Sequence, residues 1–410
     1  MELPKKLRSK VLLWMIVVAV IVGFVAGIMG ELFARSFVLG YLTSNAEIVE
    51  VNNLFYELLA KYNFLSNEEK DGRLEIVIRK PEINGGLAIV QEVTAGDFIE
   101  NLQNSTVTFF NAKKIVSQDL LISSYQNQDA LGRGFILTND GWLVTTDQVL
   151  TSQSASYVAV TSKGEVFEIR KVVIDPLSEA VFAKIETSNV SILGMADKND
   201  VLSGQSAVAL DQDGGVKISS VQNHNYRAVA RIQDRVISSD TLDSYYLPAD
   251  DFNNIALGEP VVDGQGKVIG LVVNYNRQKV VMPMTNFISE VDEVLRDSEI
   301  QRVNLGIDYL DLRQLTIDPQ VDTSYRGLNR GVLIYKNVSW GVAGISRKSP
   351  AEQAGLEVGQ VVLKVEGEEI NSRVKLNQLI QEYDAGQEIE LTIWDAGEEK
   401  IVNVTLTELE

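Results

Sequence analysis

The sequence predicts a mostly β protein, with one apolar helix at its N-terminus and a smaller α+β domain at its C-terminus. Three observations lead to this prediction. An uncharged apolar run fills residues 11–29, short apolar segments between turn residues fill 97–285, and strand-like and helix-like segments alternate in the last hundred residues. A chain of 410 residues has room for two or three such domains.

The apolar run at residues 11–29 has the length of a membrane span, because as a helix it would be roughly 28 Å long. Basic residues precede it and Glu31 follows it, which predicts a cytoplasmic N-terminus and outward-facing main domains; the basic residues are Lys5, Lys6, Arg8 and Lys10. A cleaved signal peptide is the alternative, but it usually has a shorter apolar core and a small-residue cleavage site. We therefore predict a single-pass protein of the cell membrane, with a cytoplasmic tail at 1–10, a transmembrane helix at 11–30 and a juxtamembrane linker with a helix at 31–96.

Residues 97–298 have the pattern of an all-β barrel domain. An Asn-Asp-Gly turn separates two apolar strands at residues 134–146, and a Gly-rich turn separates two more at 261–273, so each stretch predicts a hairpin. A helix at 287–295 is predicted to close the domain. The other predicted strands lie at 105–110, 157–160, 167–173, 180–185, 207–210, 216–221 and 280–284.

Residues 302–408 form the predicted α+β domain. Ser349 and Pro350 begin a short helix that Gly355 ends, in the usual order of an N-cap, a first-turn proline and a stop. A second, amphipathic helix is predicted at 373–383. The predicted strands lie at 332–335, 360–365, 389–394 and 401–406.

The composition excludes several classes of function. A formal net charge of −19 argues against nucleic-acid binding, which needs basic patches. The chain has no cysteine and one histidine, His224, which excludes thiol chemistry and a Cys-ligated or His-rich metal site. Asp243, Asp250 and Asp251 lack the ligand spacing and glycine of a calcium loop. We expect no metal and no cofactor.

Three stretches resemble one known family. The first hairpin carries Gly132, Gly134, Ile136, Gly141, Thr145 and Val149; the second stretch carries Asp175, Lys184 and Ile185; the third is the loop at 253–260 that ends in Pro260. In this order, and followed by residues 302–408, they resemble the HtrA (Deg-type) family. The resemblance implies a trypsin-like double β-barrel at 97–298 and a PDZ domain at 302–408, behind a membrane anchor.

The same resemblance places the catalytic residues of the family at three substituted positions. Gln148 stands where the family has its histidine, Glu179 where it has its aspartate, and Leu257 where it has its serine. Such a protease needs a nucleophile, a base and preorganised N–H donors for the oxyanion. In the loop that supplies those donors Gly258 is kept, but Ile255 and Glu259 replace glycines.

The resemblance also predicts a peptide site. Asn304-Leu305-Gly306-Ile307 resembles the carboxylate-binding loop of PDZ domains, with Asn304 in place of tyrosine. Backbone donors of Leu305, Gly306 and Ile307 are expected to hold a peptide carboxylate while the peptide adds a strand to the sheet. Leu376 and Ile380 are expected to line the groove, to pack the core, or to do both.

Three functions remain open from the sequence. The favoured one is a catalytically inactive, membrane-anchored binder of peptide C-termini or unfolded chains, acting as scaffold, chaperone-like protein or regulatory subunit. The resemblance adds a homotrimer or a mixed assembly with an active paralogue. The second is an active serine endopeptidase with a non-standard site, and the third is a structural envelope protein.

His224 has two interpretations. It would matter for function as a relocated base, but we favour the interpretation that it is a solvent-facing loop residue, because a base needs a nucleophile within reach.

Overall fold

The structure is a computed structural model that describes residues 65–70, 73–78, 95–113, 123–188, 190–196, 201–315, 328 and 330–409. Among these residues no helix is long and apolar enough to span a bilayer. The predicted transmembrane helix at 11–30 and the predicted juxtamembrane helix lie outside them. The chain divides into two units, residues 1–95 and 96–410. In the first, β1 (Leu65–Lys70) and β2 (Arg73–Ile78) form an antiparallel pair.

The second unit contains all but the first residue of α1 (Ala95–Ser105) and an antiparallel seven-stranded sheet in the order β7-β6-β3-β4-β5-β9-β8. Its strands are β3 (Thr106–Asn111), β4 (Gly132–Ile136), β5 (Trp142–Thr146), β6 (Tyr157–Thr161), β7 (Val166–Glu168), β8 (Lys171–Ile174) and β9 (Ala180–Lys184). The strand predicted at 167–173 is therefore two strands. The predicted Asn-Asp-Gly hairpin is confirmed as β4 and β5. Gly141 is required there, since its φ is +99° and a Cβ would lie 2.3 Å from the carbonyl oxygen of Ile185.

A closed barrel follows, in the order β10-β11-β13-β16-β15-β14. Its strands are β10 (Ser206–Leu210), β11 (Val216–Tyr226), β13 (Tyr245–Pro248), β14 (Pro260–Val262), β15 (Val268–Tyr275) and β16 (Gln278–Pro283). The second predicted hairpin is confirmed as β14 and β15, with Asp263 accepting hydrogen bonds from the amides of Gln265 and Lys267 in the turn. A buried apolar core runs through the barrel and into the first sheet.

The predicted closing helix is shorter than expected. Two 3₁₀ turns, Met284–Asn286 and Ile288–Glu290, precede α2 (Val291–Asp297). The backbone between the two turns leaves helical geometry at Phe287, where φ is −132°. Other 3₁₀ turns lie at Asn127–Asp129, Ile232–Arg235, Leu312–Gln314 and Val338–Trp340.

The C-terminal α+β domain is built on a second seven-stranded sheet with the path β12-β18-β19-β20-β22-β23, in which β21 pairs with β20. Its strands are β12 (Ile237–Ser238), β18 (Asp308–Asp311), β19 (Val332–Ile334), β20 (Val361–Val365), β21 (Glu368–Glu369), β22 (Glu388–Asp395) and β23 (Glu398–Thr405). A separate pair joins β17 (Val303–Asn304) to β24 (Thr407–Glu408). β12 comes from the region predicted to belong to the barrel domain, so one sheet crosses the predicted domain boundary.

Two short helices pack on this sheet. α3 (Pro350–Gln353) begins where predicted, with the hydroxyl of Ser349 accepting a hydrogen bond from the amide of Glu352. α4 (Leu376–Ile380) is shorter than the predicted helix at 373–383. The side chain of Asn371 accepts hydrogen bonds from the amides of Arg373 and Val374, which holds these residues in a turn and delays the helix.

Arg302 joins the barrel domain to the C-terminal domain. Its guanidinium is buried and donates to Asp175 after β8, to Glu290 at 2.7 Å, and to the carbonyl oxygen of Asn286 at 2.7 Å. Such a cluster is costly to disrupt, because removing one member leaves buried charges without a partner.

We predict that Arg302→Ala lowers the free energy of unfolding by about 3–5 kcal/mol, because it leaves the carboxylates of Asp175 and Glu290 in the interior without a cationic partner. Arg296→Ala is the matched control, because Arg296 is exposed and pairs with Asp297 on the surface. Urea unfolding followed by tryptophan fluorescence measures both variants. Equal midpoints for the two variants would show that the buried cluster contributes little.

Candidate functional site

The loop at 253–260 is a tightly bonded corner. The carbonyl oxygen of Leu257 accepts a hydrogen bond from the amide of Arg133 at 2.7 Å, and the amide of Gly258 donates to the carbonyl oxygen of Val272 at 2.7 Å. Gly258 has a φ of +74°, and a Cβ there would lie 2.0 Å from the carbonyl oxygen of Arg133. The amide of Gly258 thus points at the barrel backbone, and the glycine is kept for the shape of the corner.

Leu257 lies at the rim of an open cleft of about 540 Å³ between the first sheet and the barrel. Its aliphatic side chain offers no nucleophilic atom to this cleft. Ile255 is 1 % exposed and packs in the core, and its carbonyl oxygen accepts a hydrogen bond from Lys279.

Glu259 is fully buried and faces the interior of the domain. One carboxylate oxygen lies 3.1 Å from the guanidinium of Arg133, and the other accepts a hydrogen bond from the amide of Leu210 at 3.2 Å. Burial raises the pKa of Glu259 to about 7, although Arg133 acts in the opposite direction. The carboxylate therefore does not reach into the cleft, and its main contacts tie the corner to β4 and β10.

Gln148 follows β5 and bonds to the backbone of Asn274 on β15. Its amide nitrogen donates to the carbonyl oxygen at 3.1 Å, and its amide oxygen accepts from the N–H at 2.8 Å. A carboxamide can form this reciprocal pair, but it has no basic site for a proton near neutral pH. Gln148 thus joins the first sheet to the barrel.

Glu179 lies beside Gln148 and precedes β9, with a φ of +64°. One of its oxygens accepts a hydrogen bond from the hydroxyl of Tyr245 at 3.2 Å. Burial raises the pKa of Glu179 and the nearby Asp147 adds to this, while Tyr245 and Gln148 oppose it. The predicted positions of the base and of the acid are thus brought together, but no imidazole lies between them.

His224 is not the solvent-facing loop residue that the sequence suggested. It lies on β11, half-buried, with its Nδ1 atom 3.0 Å from the hydroxyl of Ser203. Burial lowers the pKa of His224, and Lys375 and Arg373 lower it further. Nearby cations disfavour the imidazolium ion that a general base must become, whereas the aspartate of a protease triad favours it.

The predicted carboxylate loop does hold a carboxylate, and it is that of Asp240. The amides of Leu305 and Gly306 donate to one oxygen of Asp240, at 2.9 and 3.2 Å. The amide of Ile307 donates to the hydroxyl of Ser239 at 3.0 Å. Sequence reasoning did not identify Ser239 or Asp240 as partners of this loop, because no motif marks the residues around β12.

The other two predicted groove residues, Leu376 and Ile380 on α4, have no exposed surface and belong to the core of the C-terminal domain. The neighbouring Asn377 donates to the carbonyl oxygen of Thr241, and Lys375 to the hydroxyl of Ser244. α4 therefore lies directly beside the segment that carries Asp240. Among the described residues, no group of three or more His, Asp or Glu side chains could hold a metal ion.

We predict that Glu259 makes the fold less stable as the pH rises from about 4.5 to about 7. In this window the folded chain binds the proton of Glu259 more tightly than the unfolded chain, so raising the pH favours unfolding. Glu259→Gln should remove part of this slope, on the order of 2 kcal/mol over the window. The contribution of Glu290, whose pKa burial also raises to about 7, remains in both proteins.

The measurement is urea unfolding at a series of pH values for wild type, Glu259→Gln and Glu165→Gln. Glu165 is exposed and serves as the control. If wild type and Glu259→Gln show the same slope between pH 4.5 and 7, the raised pKa of Glu259 is wrong.

Two domain families match the chain: residues 132–271 match a trypsin-like peptidase domain, and residues 341–395 match a PDZ domain. The first match contains the positions of Gln148, Glu179 and Leu257. The second begins after Leu305–Ile307, so the identity of that loop rests on its geometry and on its resemblance to the PDZ pattern.

Several curated relatives are similar to the chain. A "Probable periplasmic serine endoprotease DegP-like" from Marinomonas sp. (strain MWYL1) is 25% identical over 291 residues, which are 68% of this chain and 57% of the relative. A "Serine protease Do-like HtrB" from Bacillus subtilis (strain 168) is 24% identical over 286 residues, 66% of this chain and 60% of the relative. The chain thus spans less than two thirds of the length of these relatives.

Solved structures share the fold at low sequence identity. "HtrA-type protease AlgW with tripeptide" matches with a TM-score of 0.56 and 16% identity, over 77% of this chain and 97% of that one. The same protease with a decapeptide matches with a TM-score of 0.52 and 17% identity, over 78% of this chain and 99% of that one. The two matched domains in this order and these relatives make the chain similar to proteases of the HtrA family.

Proposed function

We propose that this chain is an HtrA-type pseudoprotease that acts through its PDZ domain as a scaffold, chaperone-like protein or regulatory subunit. The observation that carries the proposal is the bonding of Gln148, which stands at the position that the resemblance assigns to the catalytic histidine, because its carboxamide is engaged with the backbone of Asn274. Leu257, at the position that the resemblance assigns to the serine, has an aliphatic side chain with no nucleophilic atom. Loss of a serine-protease triad costs on the order of 10⁶ in turnover number.

The ligands we propose are peptide C-termini or the ends of unfolded chains. Support comes from the PDZ match, from the three amides of Leu305–Ile307 that already hold a carboxylate and a hydroxyl, and from relatives solved with bound peptides. Backbone pairing supplies affinity that depends little on sequence, and the amides select a carboxylate.

The proposed setting is the outer face of a cell membrane, with a single anchor at 11–30 and a cytoplasmic N-terminus. The basic flank and apolar run of the sequence support it, as does the description of the Marinomonas relative as periplasmic. A homotrimer, or a mixed assembly with an active paralogue, would let an inactive subunit regulate an active one.

A second candidate function is a serine endopeptidase with a relocated pair, Ser203 and His224. The hydrogen bond between the two side chains favours it, since a nucleophile and a base must lie within that reach. Against it, the neighbours of His224 are the cations of Lys375 and Arg373, which oppose protonation of the imidazole.

We predict that the full chain neither reacts with a fluorophosphonate probe nor cleaves casein. Leu257→Ser alone should not change this, because Gln148 cannot take the proton of the new hydroxyl. Trypsin serves as the positive control for both assays, and Ser203→Ala as the matched variant.

Labelling that disappears in Ser203→Ala would establish the relocated pair and overturn the pseudoprotease proposal. Casein cleavage by wild type would overturn it as well.

We also expect that Gln148→His, Glu179→Asp and Leu257→Ser together fail to give a good protease unless Ile255 and Glu259 also become glycine.

A further inference from the structure

The PDZ sheet has an extra edge strand that comes from the barrel domain. β12 pairs antiparallel with β18, with Ile237 opposite Tyr309 and Ser238 opposite Asp308. The next residue continues the pairing, since the amide of Ser239 donates to the carbonyl oxygen of Ile307 at 2.9 Å. An extended peptide that binds a sheet by strand addition forms the same kind of ladder.

The end of this strand is chemically like the end of a peptide. Ser239 takes the place of a last residue, and the carboxylate of Asp240 follows within hydrogen-bond distance of the amides of Leu305 and Gly306. Ser239 is fully buried, and its hydroxyl also donates to Asp240 at 2.7 Å. Hydrogen bonds from backbone N–H groups to a carboxylate are stronger than those to a neutral acceptor, because the acceptor is charged.

The segment is held from the barrel side as well. Arg227 forms an ion pair with Asp243 and donates to the carbonyl oxygens of Asp234 and, at 2.9 Å, Val236. On the far side, Asn377 of α4 bonds to Thr241. The segment between β11 and β13 is thus bent into the space between β18 and α4 and fastened at both ends.

We propose that Ile237–Asp240 is an intramolecular ligand of the PDZ groove, with the side-chain carboxylate of Asp240 in place of a peptide's terminal carboxylate. A partner peptide must have a free C-terminal carboxylate and an extended backbone, and it must displace this segment to bind. Its apparent affinity is the intrinsic affinity reduced by the fraction of molecules whose groove is open. The inference rests on the proposed peptide-binding function and adds its partner chemistry and its regulation.

The first test reads the internal contact without any added ligand. Hydrogen–deuterium exchange of the full chain is compared for wild type, Asp240→Ala and Asp250→Ala, where Asp250 is an exposed residue of the same domain. We expect faster exchange of the amides of residues 305–307 in Asp240→Ala alone, about tenfold or more, while the amides of β15 stay protected. Unchanged exchange at 305–307 overturns the inference. If the amides of β15 also lose protection in Asp240→Ala, the experiment is repeated with Asp240→Asn, which keeps the shape of the side chain and removes its charge. The same exchange pattern at residues 305–307 is then required of Asp240→Asn.

The second test adds a peptide with the sequence of residues 232–239, labelled with fluorescein and ending in a free carboxylate at the serine. Its amidated form is the control. We expect the free-acid peptide to bind Asp240→Ala about 10- to 100-fold more tightly than it binds wild type or Asp250→Ala. The amidated peptide should bind all three proteins more weakly than the free acid binds Asp240→Ala.

The outcomes separate the two proposals. Equal affinity of the free acid for wild type and Asp240→Ala overturns the internal ligand but supports peptide binding. Faster exchange at 305–307 without binding of either peptide form to Asp240→Ala supports the internal ligand and counts against the proposed peptide-binding function.

Discussion

The buried guanidinium of Arg302 fixes how the two domains of the second unit meet. Arg302 immediately precedes β17, and it bonds to Asp175 beside the first sheet and to Asn286 and Glu290 beside α2. Because these partners are buried, an unpaired charge would be expensive, and the geometry has few alternatives. The carbonyl oxygen of Arg302 also accepts a hydrogen bond from the amide of Leu409 at 2.7 Å, which ties the end of the PDZ domain to the same point.

The residues at the protease-like positions stabilise the same architecture in a different way. Gln148 joins β15, Leu257 joins β4, and Glu259 joins both β4 and β10. Three positions that the resemblance assigns to catalysis or to its loop therefore serve as contacts between sheet and barrel. Gln148 and Glu259 make these contacts with their side chains, so these two residues stabilise the fold. The contact of Leu257 is made by its backbone carbonyl oxygen and does not depend on its side chain.

Much of this fold follows from local patterns in the sequence. The hairpins at β4–β5 and β14–β15, and the capped start of α3, were predictable because turn residues and alternating apolar residues act over a few positions. Gln148, Glu179 and Leu257, at the positions that the resemblance assigns to the catalytic triad, were also readable from the sequence. The short strand β12 was not, because two residues carry no periodicity and the pairing with β18 spans about seventy positions of sequence. His224 was placed wrongly for a related reason, since polar neighbours on β11 suggested a loop although the strand continues through them. The carboxylate role of Asp240 depends on tertiary contact alone, and no local signal marks it.

If Ile237–Asp240 fills the groove of the PDZ domain as proposed, β12 and β18 must stay in contact in solution. The chain has no cysteine, so a pair introduced as Ser238→Cys and Asp308→Cys, opposite each other across β12 and β18, reports directly on that contact. The measurement is the yield of intramolecular disulfide under mild oxidation, read by intact mass and thiol titration, with each single variant as control. We expect near-complete cross-linking of the double variant, loss of binding of the free-acid peptide on oxidation, and recovery of that binding on reduction. Two thiols that stay free under these conditions, or an oxidised protein that binds the peptide as well as the reduced one, would contradict the proposal.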